Sequence, residues 1–247
     1  MEGEMKLNEE MAEFIGIFIG DGSLNVREGK CSYEFKFTGN IKDEIPYYRD
    51  RVSKLAGNVL NRKIEAKILD GGRSVGLYFC SKRFAGYLKG LGINSGPKAE
   101  RIEIPGKIIE NNMLAIACIK GIFDTDGCFT LKREGVYPVV TFAMKSRKLL
   151  KQIKSIIEGL DIGSSICFDV AYFDRRYNRN YTKHYLSING KINTSKWFGI
   201  VGTNNPKIKE KYRRYIMSNK KKKIAGSGFE PLVFTHRLQL AARGSGL

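Results

Sequence analysis

Apolar and polar positions along the chain form two matched series. Apolar stretches at about Glu9 to Gly20 and Asn112 to Thr125 each predict a helix. Two strands follow each of them. Tyr33-Glu-Phe-Lys-Phe-Thr38 alternates with period two, which places Tyr33, Phe35 and Phe37 in a core and Glu34, Lys36 and Thr38 on a polar face. Val139 to Met144 is the matching strand of the second series. Helices at Glu44 to Leu60 and Arg147 to Leu160 come next, then hairpins. Ile64 to Leu69 and Ser74 to Cys80 flank the turn Asp70-Gly-Gly-Arg73. Ser165 to Phe173 and Tyr181 to Ile188 flank Arg175-Arg-Tyr-Asn-Arg-Asn180. A short helix closes each series. The order α-β-β-α-β-β-α thus occurs twice, and antiparallel strands beside segregated helices imply an α+β fold.

Two pairs of landmarks support a duplication. Phe14-Ile-Gly-Ile-Phe-Ile-Gly-Asp-Gly22 resembles Ile119-Lys-Gly-Ile-Phe-Asp-Thr-Asp-Gly127, with Asp21 and Asp126 lying 105 residues apart. Gly92-Ile-Asn-Ser-Gly-Pro-Lys98 resembles Gly202-Thr-Asn-Asn-Pro-Lys207 at a similar interval. The expected domains are residues 1–105, 106–217 and a basic tail, 218–247. The segment Lys207 to Lys223 is expected to be helical through Met217, and Ile224 to Leu247 to be poorly ordered.

Composition narrows the partners. The chain has 247 residues and a formal net charge of +18, from 43 Lys and Arg against 25 Asp and Glu. That excess calls for a polyanion, with nucleic acid ahead of an anionic membrane surface. The apolar run Phe14 to Ile19 is too short to span a bilayer. The five cysteines are scattered without a C-x-x-C pair, and there are two histidines, which argues against zinc and for reduced thiols. With no secretory signal pattern at the N-terminus, an intracellular location is expected.

Chemistry concentrates at the two related segments. Ala12, Gly16 and Gly20 fall four apart, as do Ala117, Gly121 and Thr125, so each trio lies on one helix face. A helix-interior glycine costs about 1 kcal/mol relative to alanine, and close approach of another backbone is the natural compensation. Either helix could pack on a sheet, but the repeat favours packing of the two helices on each other. Asp21 and Asp126 would then end side by side, each followed by a glycine suited to a left-handed cap. Carboxylates are disfavoured at helix C-termini, and two together repel. A divalent cation between them would remove that repulsion; hard oxygen ligands favour Mg²⁺, and such an ion serves phosphodiester hydrolysis.

Both segments resemble the LAGLIDADG motif, and the whole organisation resembles a single-chain, two-motif homing endonuclease over about Glu9 to Lys207. The resemblance implies motif helices at the interface between halves, and antiparallel sheets forming a saddle over double-stranded DNA. It implies Asp21 and Asp126 as metal ligands and catalytic residues, with Lys145 as a basic catalytic residue. Asn40 stands at the corresponding place in the first half, with Lys42 just beyond. Asp124 occupies an earlier acidic position of the motif whose first-half counterpart is Ile19, and a structural role is expected for it. Lys98 and Lys207 follow turn-like segments, where a helix end with a solvated charge is expected at least as much as a phosphate contact.

Candidate DNA contacts are Lys36, Arg73, Arg175, Arg176, Asn178, Arg179 and Lys183. Arg and Asn make bidentate contacts to guanine and adenine. The expected function is a Mg²⁺-dependent, site-specific endonuclease acting as a monomer on a long asymmetric target. The alternatives are an intron RNA-splicing maturase on the same fold, or a DNA-binding regulator with an inactive metal site. Two uncompensated carboxylates argue against the regulator.

If the Arg175 to Asn180 hairpin reads bases, Arg176→Ala or Arg179→Ala should cost about 1–3 kcal/mol and relax preference at one or two base pairs. Replacing Lys221 and Lys222 should weaken all duplexes alike and flatten the salt dependence. Binding across single-base-pair variants at several salt concentrations separates the two. Uniform weakening by the hairpin variants would place the sequence reader elsewhere.

Overall fold

The computed structural model describes residues 5–27, 32–175 and 178–225, with side chains through residue 219. The described elements are α1 (Glu9–Asp21), β1 (Gly22–Val26), β2 (Tyr33–Asn40), α2 (Ile45–Tyr47), a π turn (Tyr48–Val52), α3 (Ser53–Leu60), β3 (Lys67–Leu69), β4 (Ser74–Cys80) and α4 (Lys82–Gly90). After α5 (Gly106–Ile109) the order returns as α6 (Asn112–Asp126), β5 (Gly127–Lys132), β6 (Tyr137–Met144), α7 (Arg147–Gly159), β7 (Ser165–Asp174), β8 (Arg179–Asn189) and α8 (Gly190–Ile200). The last is α9 (Pro206–Ala225). Two antiparallel four-stranded sheets, β1-β2-β4-β3 and β5-β6-β8-β7, carry the expected α+β duplication. By its contacts the chain divides into a large compact unit, Met1–Lys211, and a second, Tyr212–Leu247, whose boundary falls inside α9.

Local signals place the helix starts. Asn8 caps α1 by accepting from the Met11 amide at 2.9 Å. Asn111 caps α6 through the Met113 and Leu114 amides, and Ser146 caps α7 through the Leu149 amide. The alternating strand pattern is realised on β2, where Phe35 and Phe37 are fully buried. They join Phe14, Phe18, Phe79 and Phe84 in one aromatic cluster, with Phe14 stacked on Phe37 at 5.1 Å. The second half replaces this with Trp197 set edge-on to both Phe123 and Phe142.

The two motif helices pack on each other through their small faces. A Cβ on Gly16 would overlap the Cys118 carbonyl and stand 3.1 Å from the Gly121 Cα. One on Gly121 would overlap the Glu13 carbonyl and come within 2.9 Å of the Ile17 nitrogen. Ala12 and Ala117 are buried on the same faces. The glycines that follow the helices differ from expectation. Gly22 (φ −79°) and Gly127 (φ −91°) are extended, not left-handed, and lead directly into β1 and β5. Glycine is required because a Cβ at position 22 would press to 2.8 Å on the Phe18 backbone, and Phe123 blocks position 127 likewise.

Four other expectations need correction. The helix expected from Glu44 to Leu60 is interrupted by the π turn, where the Ser53 amide reaches the Tyr48 carbonyl and the Ser53 hydroxyl adds a 2.8 Å bond to the same oxygen. The first hairpin is shorter than expected, because β3 pairs only with Ser74 to Gly76. Past that point Arg62 donates to the Cys80 carbonyl at 2.7 Å and lies over the Phe79 ring, occupying the edge a longer strand would use. Cys80 is disulfide-bonded, against the reading of reduced thiols, while Cys118, Cys128 and Cys167 are free. Finally, α9 continues past Met217 to Ala225; residues 226–247 of the expected tail lie outside the described residues. Among the described residues no helix is long and apolar enough to cross a membrane.

Gly16→Leu or Gly121→Leu should destabilise the protein by more than the ~1–3 kcal/mol typical of overpacking, because backbone blocks the added atoms. Gly86→Ala in α4, where nothing lies within 4 Å of the added Cβ, should be neutral or stabilising by up to about 1 kcal/mol. Thermal unfolding checks both; unchanged melting of the two leucine variants would contradict the interface.

Candidate active site

Close packing of α1 on α6 brings Asp21 and Asp126 together. A Cβ on Gly20 would collide with the Thr125 hydroxyl and lie 3.3 Å from an Asp126 carboxylate oxygen, which places that carboxylate against the end of α1. Burial and then the Asp126 charge push the Asp21 carboxyl up to about 7. Burial also raises Asp126, against the opposing charges of Lys98 and Lys183. The Tyr48 hydroxyl donates to Asp21 Oδ2 at 2.9 Å, which favours the ionised form.

Lys98 caps α1. Its Nζ donates to the carbonyls of Phe18, of Ile19 at 2.5 Å and of Gly20 at 3.0 Å, and stands 5.0 Å from the Phe18 ring centroid. A cation there complements the negative helix end. Burial lowers the Lys98 ammonium to about 8, with the two carboxylates opposing the drop. The solvated charge expected at Lys98 is not what the structure shows: its ammonium is desolvated against the carbonyls at the end of α1. Its echo behaves differently: Lys207 pairs with Asp43 at 2.7 Å, and Asn205 supplies the second cap by donating to the Asp124 carbonyl at 2.9 Å.

Glu44 adds a third negative charge. Its Oε2 accepts the Asn40 amide at 2.6 Å, burial raises its carboxyl, and its charge acts on both Asp21 and Asp126. Asn40 Oδ1 accepts from the Lys42 amide at 2.9 Å, so Asn40 shapes the loop. A separate buried network lies along the same helices. Glu13 pairs with Arg51 through two bonds and accepts from Asn204 Nδ2 at 2.9 Å. Asp124 accepts from the Thr203 hydroxyl, the Asn204 amide at 2.9 Å and the Tyr47 hydroxyl at 3.4 Å. Asn204 thus joins a carboxylate of the first helix to one of the second, and burial pushes Asp124 up to about 7.

The expected site residues divide between places. Asp21 and Asp126 meet. Lys183, half-buried over the Tyr172 ring, is the strand residue whose charge reaches Asp126. Lys145 is exposed with its Nζ 5.7 Å from the Tyr181 ring centroid, in a niche of about 710 Å³ shared with Arg147, Asn180 and His184. Lys36 is paired with Asp70 at 2.6 Å, and Arg73 donates to the Asp70 carbonyl. Arg175, Asn178 and Arg179 are exposed at the tip between β7 and β8, with Asn178 left-handed at φ +48°; Arg176 lies outside the described residues. The sequence reading missed Glu44 and Tyr48. Only a polar residue at a helix start marked the first, and no period marked the second.

Two oxygen-donor carboxylates in mutual repulsion are a donor set that a hard divalent cation fits. Among the described residues no group of three or more such side chains is poised to hold a metal, so the protein would supply two ligands and leave other positions for phosphate and water.

The family model for a LAGLIDADG-like domain matches residues 113–202, the body of the second half. The first half repeats those elements in the same order, with its motif helix packed on the other. Residues 113–202 thus resemble a LAGLIDADG-like domain. The chain is 26% identical over 185 residues to an uncharacterized protein of Methanocaldococcus jannaschii, covering 72% of this chain and 62% of that protein. Its fold is similar to that of I-DmoI in a complex with DNA and calcium, with a TM-score of 0.58 at 20% identity over 84% of this chain and 97% of that one. The homing endonuclease I-WcaI bound to its DNA recognition sequence gives 0.52 at 12% identity, over 84% and 88% of the respective chains. At these identities the likeness is one of fold.

A carboxyl raised to about 7 in the folded state holds its proton there while the unfolded chain has released it, so its contribution to stability falls as pH rises from about 4 to about 7. In metal-free protein Asp21→Asn should therefore raise the melting temperature at pH 8, by several degrees, and change it little at pH 5. Thermal unfolding at both values in a chelator measures this. Equal effects at both would contradict the buried-charge account.

Proposed function

We propose that this protein is a site-specific DNA endonuclease that uses Mg²⁺ to cut both strands of a long, non-palindromic duplex as a monomer. One observation carries the reading: two carboxylates, half-buried Asp21 and solvent-reached Asp126, one from each motif helix, held together at helix ends despite their repulsion. A binding module has no use for that arrangement, because replacing either carboxylate would relieve it. The similar structures of I-DmoI, bound to DNA with calcium or manganese or in the presence of magnesium, are consistent with it. Two different halves on one chain suit an asymmetric target.

In this reading Asp21 and Asp126 hold the ion, whose Lewis acidity acts on a phosphodiester. Lys98 complements the negative end of α1, and its charge favours the ionised carboxylates without cancelling their repulsion. Lys183 brings positive charge from the sheet toward Asp126, and with Lys98 takes the basic role that the family resemblance suggested for Lys145. The polar faces of the two sheets, with Lys36, Arg73, Arg175, Asn178 and Arg179 around them, contact the duplex.

Cleavage of a randomised duplex library with and without Mg²⁺ is the direct test. Asp21→Asn and Asp126→Asn should each abolish double-strand cleavage and leave binding of the selected duplex intact, since each keeps the side-chain shape and removes a ligand charge. Near-normal cutting by both variants would remove the metal-site reading. Binding of intron RNA or of duplex without any cutting by the unaltered protein would favour the maturase or regulator reading instead.

A further inference from the structure

Two adjacent tyrosines reach carboxylates on different motif helices. The Tyr48 hydroxyl bonds Asp21 Oδ2 at 2.9 Å on α1, and the Tyr47 hydroxyl lies 3.4 Å from Asp124 Oδ2 on α6. Both rings are fully buried and nearly perpendicular, at 82° with centroids 5.9 Å apart. Tyr48 opens the π turn and Tyr47 is the residue just before it, and such turns are often associated with functional sites. The ring of Tyr48 is further fixed by Gly39, where a Cβ would lie 3.1 Å from Tyr48 Cδ2 and closer still to Cε2. A fully buried phenol must find a partner, and this one is set against a single carboxylate oxygen. Among the described residues no side chain donates to Asp21 Oδ1.

The second half lacks this arrangement. Counting from the residue that precedes each helix, Glu44 or Ser146, the places of Tyr47 and Tyr48 hold Leu149 and Leu150, both buried and without a hydroxyl. Charges act on Asp126, but among the described residues no side chain donates a hydrogen bond to it. The two central carboxylates are therefore held by different means, one by a rigid donor and one by its own rotamer and the field around it.

We propose that Tyr48 is a positioning residue that fixes the Asp21 carboxylate so that Oδ1 is presented to the divalent ion, and that the two DNA strands consequently depend on it unequally. This rests on the endonuclease reading above. Removing the phenol frees Asp21 to rotate and weakens the ion site from one side only. Loss of a group that orients a metal ligand typically costs about 10–100-fold in affinity or activity.

The test uses the full chain and a duplex labelled differently on each strand. Tyr48→Phe, which keeps the ring, should slow one strand at least about tenfold relative to the other, so that nicked duplex accumulates. Mn²⁺ binding to the protein without DNA, followed by the resonance of free Mn²⁺, should weaken by a similar factor. Tyr47→Phe removes the neighbouring phenol without touching Asp21; it should lower the melting temperature and leave the strand ratio and Mn²⁺ affinity unchanged. Tyr48→4-aminophenylalanine, which restores a donor in the same volume, should rescue both readouts. If it does not, or if Tyr48→Phe slows both strands equally or alters neither readout, the inference falls. Asp21→Asn in the same assay separates the two ideas: if it still cuts, the endonuclease reading fails; if it is dead while Tyr48→Phe behaves as unaltered protein, only the positioning role fails.

Discussion

At Gly16 and Gly121 the backbones of α1 and α6 pass so closely that neither position can carry a Cβ. The rest of the molecule follows from that contact. It joins the two four-stranded sheets into one pseudo-symmetric body, because each motif helix runs directly into the first strand of its sheet. It also fixes where the helices end, and so where Asp21 and Asp126 meet. A larger residue at either glycine would separate the sheets and the carboxylates together. Fold and site thus share a single geometric requirement.

Bringing two carboxylates together at helix ends is costly, and the structure shows what offsets part of it. Lys98 spans three carbonyls at the end of α1, Tyr48 donates to Asp21, and Lys183 adds charge from β8. These do not cancel the cost, since both carboxyls stay raised. A site left short of compensation is suited to a cation, whereas a purely structural pair would have been satisfied from within. The Glu13–Asn204–Asp124 network a few residues away differs in its hydrogen bonds, although burial raises Asp124 as well: those carboxylates are met by Arg51, Thr203, Asn204 and Tyr47. It ties the halves together, whereas among the described side chains Asp21 and Asp126 have one hydrogen-bond donor between them, Tyr48.

The pseudo-symmetry is one of backbone and not of side chains. Lys98 and Asn205 cap the two motif helices by different chemistry, Ile19 stands opposite Asp124, and leucines replace the tyrosine pair. The hairpins differ as well: Arg62 stops β3 after three residues, while β7 and β8 run to ten and eleven. Each half presents a different surface and holds its carboxylate differently, which is what a non-palindromic partner allows.

The sequence by itself determined the duplication, the order of elements, the small faces of the motif helices and the pair Asp21 and Asp126. Each of these is written in local periodicity or in a repeat, and neither depends on knowing how distant segments meet. Tertiary structure decided the rest. Tyr48 lies 27 residues from Asp21, and a π turn, which no 3.6-residue period announces, aims it. Glu44 reaches the site because its loop folds back on Asn40, and Lys145 stands over Tyr181. The glycines after the motif helices looked like left-handed caps and serve instead to clear Phe18 and Phe123. The physical reason is the same in each case: hydrogen bonds, close approaches and fields act between groups far apart in the chain, and their partners exist only once α1 and α6 have docked.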